Sequence, residues 1–113
     1  LTSFVSALVI RRYAQSTRAP AAPAAEWIHG AVLFADISGF TSLADRLARH
    51  GVRGAEELSD LLNRYFGRMI GVINAHGGEV VKFAGDALLA LWPSADGDIN
   101  AATLRAARCG QLV

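Results

Sequence analysis

The sequence holds a single cysteine, Cys109, so no disulfide can close within it and a reducing compartment suits the chain. Net charge is also scarce. Eleven basic residues against ten acidic ones leave +1, which provides no field strong enough to make nucleic acid or an anionic membrane the main partner. Long apolar runs are missing as well: Phe4 to Ile10 falls well short of the roughly 20 residues that a bilayer-spanning helix needs, and Arg11-Arg12 closes it. Those charges follow the run, whereas a secretion signal carries them in front. We therefore expect no membrane span in this segment, and a cytoplasmic location. The first residue is Leu1, from which a longer parent chain is expected.

Within these limits, 113 residues at 52% hydrophobic and 19% charged suffice for one domain with a core, and are too few for two. Leu1 to Tyr13 reads as a short helix with Phe4 and Leu8 on successive turns. Gln15 to Ala25 is rich in Ala, Pro and Ser, and Pro20 and Pro23 bias it to an extended linker, so residues 1–30 form an arm and residues 31–113 the folded unit.

Ala31 to Asp36 is a short apolar run ending in a carboxylate, which suits a central strand buried on both faces. Phe40, Leu43, Ala44, Leu47 and Ala48 then recur at helical spacing, and Gly51 is placed to end that helix in a left-handed cap. A second stripe runs from Leu58 through Leu61, Leu62, Tyr65, Phe66, Met69 and Ile70 to Ile73, stopped by His76-Gly77-Gly78. Glu79 to Phe83 and Ala87 to Trp92 flank Ala84-Gly85-Asp86 as a hairpin flanks its turn. After Pro93 to Gly97, Asp98 is a helix cap, and Ile99, Ala102, Thr103, Ala106 and Cys109 or Gly110 share a face. The predicted order is β-α-α-β-β-α, an α+β sandwich whose sheet is covered on one side.

Chemistry concentrates in two segments. In Phe34-Ala35-Asp36-Ile37-Ser38-Gly39-Phe40-Thr41 a strand delivers a carboxylate to its tip, a glycine turns the backbone, and a helix begins with free amides facing the same space. Such amides favour an anion, and the carboxylate is a hard oxygen ligand suited to magnesium. The competing reading is an aspartate that merely caps the next helix. In Lys82-Phe83-Ala84-Gly85-Asp86-Ala87 a second acid occupies a hairpin tip 50 residues later. Two such acids can hold two magnesium ions about 3.5–4 Å apart, although aspartate beside glycine also simply satisfies turns. Lys82 is the one lysine beside ten arginines and stands among Val80, Val81 and Phe83. It suits contact with a base, a phosphate or a bicarbonate-like anion, or else snorkels to solvent.

FADISGFTSLAD and GGEVVKFAGDALLALW resemble the two signature stretches of the class III adenylyl and guanylyl cyclases, and are most similar to those of the metal-binding half of the bicarbonate-responsive soluble adenylyl cyclases. The likeness covers roughly Ala31 to the C-terminus, with both motifs in the family's order and separation. It implies an incomplete ferredoxin-like, palm-type fold. Asp36 and Asp86 match the family's two metal-binding, catalytic aspartates, and the Ile37 carbonyl matches its third ligand for two Mg2+ ions, with Mn2+ as a substitute. The amides from Ser38 to Thr41 match the triphosphate cradle, Phe40 the residue packed beside the nucleotide, and Lys82 a purine or bicarbonate contact. The implied reaction is attack of the ribose 3′-hydroxyl of ATP on its own α-phosphate, which gives cyclic AMP for signalling and releases pyrophosphate.

The resemblance also implies a head-to-tail partner, either a second copy or a second half of the same polypeptide. The later elements that supply another purine contact and a transition-state asparagine and arginine are absent here, so this fragment is expected to be inactive alone. A guanylyl cyclase, and a non-catalytic nucleotide- or bicarbonate-binding module, stay open as alternatives. A haloacid-dehalogenase-type phosphatase needs an acid where Ser38 stands. Nucleic-acid binding needs exposed aromatics and cations on the sheet, where the first strand offers only Phe34. His29, His50 and His76 lack zinc spacing and read as solvated or capping residues.

Overall fold

Alternation along the first strand sets the architecture. In β1 (Gly30–Asp36) Ala31, Leu33 and Ala35 turn inward while Val32, Phe34 and Asp36 are exposed, which is the two-residue period of a sheet with one covered face. The computed structural model describes residues 5–16, 18, 19, 21–95 and 97–113. The remaining elements are α1 (Ala7–Ala14), α2 (Phe40–Ala48), α3 (Gly51–Ala75), β2 (Glu79–Ala84), β3 (Ala87–Pro93) and α4 (Ile99–Gly110). The helix predicted over Leu1 to Tyr13 is corrected at its start: among the described residues it begins only at Ala7, because Ser6 has extended geometry and caps it, while Phe4 and the reading of Pro20 lie outside the described residues.

The three strands form an antiparallel sheet in the order β1-β3-β2. The apolar run Ala31 to Asp36 predicts a central strand buried on both faces, and the structure corrects this. β1 lies at the edge of the described sheet, and the central position belongs to β3, whose Leu88, Ala90 and Trp92 are fully buried. Val32 and Phe34 are 60% and 61% exposed because helices cover only the opposite face. A short apolar run fits an edge strand as well as a central one when its inward residues are as small as Ala31 and Ala35.

The core is a single cluster. Met69 and Ile73 of α3 and Ala102, Ala106 and Cys109 of α4 close over Leu88, Ala90 and Trp92. Burial pushes the Cys109 thiol above its ordinary pKa, as expected of a packed rather than reactive cysteine. Indole Nε1 of Trp92 donates to the His76 carbonyl at 2.9 Å, so the largest core side chain is also satisfied at its polar edge. His76 ends α3, as its position suggests, and its ring Nδ1 lies 2.8 Å from the Val72 carbonyl.

α3 begins seven residues before the apolar stripe at Leu58, because its first turns pack through backbone rather than through side chains. Gly54 is buried against α2, where an added methyl would collide with the Leu47 carbonyl. Gly51 has the expected left-handed geometry at φ +64°, but it opens α3 after α2 has closed at Arg49. Asp98 caps α4 as predicted, its Oδ1 accepting the Ala101 amide at 3.1 Å.

Two substitutions test the core. Trp92→Ala should cost about 3–5 kcal/mol, and Trp92→Phe, which keeps an aromatic ring but loses volume and orphans the His76 carbonyl, about 1–3 kcal/mol in urea unfolding.

Candidate functional site

The site is set by strand register. β1 pairs with β3 from Gly30 opposite Pro93 to Asp36 opposite Ala87, so Asp36 ends its strand across from the residue that follows Asp86. Ala84 pairs with Ala87, leaving Gly85 and Asp86 as a two-residue hairpin loop. Gly85 has φ +64° and Asp86 does not share the positive sign, which is the glycine-first pattern of a type II′ turn. Both aspartates thus stand at the same end of the sheet on adjacent strands, Asp36 exposed and Asp86 half-buried.

The next residues adjoin this end of the sheet. Ile37, Ser38 and Gly39 lead from Asp36 into α2, whose N-cap is Gly39 at φ +77° with no side-chain cap. The first intrahelical bond runs from the Leu43 amide to the Gly39 carbonyl at 3.2 Å, so the amides of Phe40, Thr41 and Ser42 lack acceptors within the helix. Ser42 Oγ donates to the same carbonyl at 2.9 Å and leaves those amides free. Asp36 therefore does not cap α2. Among the described residues it has no ion-pair partner, and neither does Asp86.

Lys82 sits on the open face. A bulge between Val80 and Lys82 leaves Val81 as the extra residue, so that Lys82 faces Leu89 and shares a row with Phe34 across β3. Asp36 is one row further along and two strands away, about 9.6 Å laterally from the usual strand spacing. Lys82 is exposed, with no acidic partner among the described residues. Phe40 and Ile37 are half-buried, and Ser38, Gly39 and Thr41 are exposed at the sheet end. The predicted site residues from 36 to 41 and Asp86 thus gather at one end, with Lys82 set back on the adjoining face.

This donor set fits magnesium in kind. Two carboxylates and a backbone carbonyl, with no group of three His, Cys, Asp or Glu side chains among the described residues, are too few for a closed zinc site. They match an ion that keeps several waters and takes substrate phosphates as its remaining ligands.

Residues 25–108 match the family described as the adenylate and guanylate cyclase catalytic domain. The chain belongs to that family. This cyclase domain is 43% identical over 75 residues to adenylate cyclase type 10 of Oryctolagus cuniculus and 41% identical over 75 residues to that of Homo sapiens, in each case 65% of this chain and 5% of the relative. Against adenylate cyclase 1 of Rhizobium meliloti it is 32% identical over 81 residues, or 72% of this chain and 11% of that protein. The cyclase domain thus spans only a small part of the length of these relatives. Among its described residues no helix is long and apolar enough to cross a membrane.

Sequence reasoning assigned no role to Glu79. Its signal was an acid at the first position of a strand directly after a helix-stopping Gly-Gly, and the structure shows its carboxylate engaged by α1.

The unpartnered state of Asp36 gives a direct test. Asp36→Ala should shift unfolding stability by less than about 0.5 kcal/mol, whereas a helix-capping aspartate would cost about 0.5–2 kcal/mol.

Proposed function

We propose that this chain is the metal-binding half of an adenylyl cyclase, forming 3′,5′-cyclic AMP and pyrophosphate from ATP for intracellular signalling. The observation that carries the reading is the register that puts Asp36 and Asp86 at one sheet end beside the uncapped start of α2. The relatives compared above are adenylate cyclases, which favours ATP over GTP. The one-sided sheet and the order of its elements support a ferredoxin-like, palm-type sandwich, with residues 1–30 as an arm and residues 31–113 as the cyclase domain.

In this reading Asp36, Asp86 and the Ile37 carbonyl hold two Mg2+ ions, for which Mn2+ can substitute. When bound, these supply charge that eases deprotonation of the ribose hydroxyl and screens the phosphates. The protein itself does the positioning. The amides of residues 38–41 take the triphosphate oxygens by the logic of a helix N-terminus, without a charged side chain that would have to reorganise. Phe40 packs beside the nucleotide, and Lys82 supplies a cation to the purine or to bicarbonate. A second cyclase domain, paired head to tail, completes the site, and the compartment is cytoplasmic.

In the protein that carries this segment, calorimetry should find ATP binding that strengthens with Mg2+, and Asp36→Ala or Asp86→Ala should abolish that dependence. Cyclic AMP output should fall at least about a hundredfold, as expected when several kcal/mol of electrostatic stabilisation is removed. Full output without either acid would refute the reading. The 113-residue chain by itself should form no cyclic AMP, because one half lacks its partner's contribution. Lys82→Ala should alter either nucleotide affinity or the bicarbonate response, and a variant unchanged in both would exclude Lys82 from the site.

A further inference from the structure

We infer that α1 is a releasable strap on the outer edge of β2, latched by Glu79, and that its docking holds the β2–β3 hairpin. α1 has eight residues, none of them buried, and a helix that short is not stable by itself in water. Its helical state therefore depends on what it docks against.

The dock is specific. One oxygen of Glu79 accepts the Leu8 amide at 2.9 Å, and the other pairs with the Arg11 guanidinium one turn later. Leu8 lies in the first turn, where the helix dipole favours a negative charge; its amide is shared between the helix's own N-cap, Ser6 Oγ at 3.3 Å, and the closer Glu79 carboxylate, supplied from 71 residues away. Its side chain is only 16% exposed, although Arg11 remains 60% exposed. A carboxylate this shielded is held in place by its two donors.

Packing beneath the strap is incomplete. A groove of about 700 Å³ runs between α1, α3 and β2, lined by Val5, Ala7, Phe66, Ile70, Val80 and Phe83. Charge rather than a sealed apolar contact therefore holds α1, and contacts of that kind open readily and weaken with salt. The tether permits opening. Fifteen residues separate Ala14 from Gly30, and all those described are exposed. Extended, they reach about 50 Å, enough for α1 to leave without pulling on β1.

The location gives the latch its consequence. β2 is an edge strand of the described sheet, and α1 touches it at its first residue, Glu79. Glu79 begins the strand that continues through the bulge to Lys82 and the Gly85-Asp86 turn. Docked, α1 anchors one end of the hairpin whose other end carries Asp86. Control of catalysis through this anchor rests on the cyclase reading, whereas the strap and its grip on β2 do not.

Hydrogen–deuterium exchange on the intact chain tests the inference independently of any activity. Glu79→Ala and Arg11→Ala should each speed exchange at least tenfold in α1 and measurably in β2, with β3 and α4 unchanged. Arg11→Lys should retain most of the protection, and the double variant should be no worse than Glu79→Ala, because the two groups act as one unit. Raised salt should mimic the single variants. Should Glu79→Ala unfold the whole chain, Arg11→Ala decides, since Arg11 is exposed and outside the core. Equal α1 exchange in wild type and Arg11→Ala would overturn the strap. Faster α1 exchange with unchanged β2 would overturn its hold on the hairpin.

Discussion

The seven-residue ladder between β1 and β3 is the constraint on which everything else rests. Because side chains alternate along a strand, a slip of one residue would send Ala31, Leu33 and Ala35 outward and bring Asp36 over the core. Trp92 resists such a slip. It stands opposite Ala31, fully buried, with its indole nitrogen tied to the end of α3, so the bulkiest core residue fixes the end of the ladder remote from the acids. Packing at one end of the sheet thereby fixes where the two acids stand at the other.

The same ladder explains why the chain keeps one apolar face open. With α3 and α4 both spent on the inner face, Val32 and Phe34 stay exposed on the outer one, beside Leu89 and Leu91. Exposed apolar side chains grouped on one face suit a contact surface, which is in keeping with the paired arrangement proposed above. Lys82 and Asp36 flank this patch, so any partner covering it would bury charges of both signs at the rim.

Much of this was legible beforehand. Strongly patterned segments gave the two aspartates, the hairpin turn, the Asp98 cap and the last helix, because each depends on local chemistry that the sequence displays directly. The position of β1 within the sheet was not legible, since strand order is a tertiary choice and a short apolar run satisfies either place. The first two turns of α3 were also hidden, because Gly54 packs by lacking a side chain and leaves no hydrophobic signal. Glu79 was missed for a related reason: its partners Leu8 and Arg11 lie 71 and 68 residues away, and no periodicity connects them.

The bulge at Val81 has a consequence for how this strand tolerates change. It is the additional residue that turns Lys82 outward and lets Phe83 reach Phe66, at 5.3 Å between ring centroids. Shortening the stretch by one residue would exchange the two, pressing an ammonium group into the hydrocarbon side and stranding a benzyl ring in solvent. Replacing individual side chains there is the milder perturbation, so insertions and deletions between Val80 and Lys82 should be rarer than substitutions wherever this arrangement is inherited.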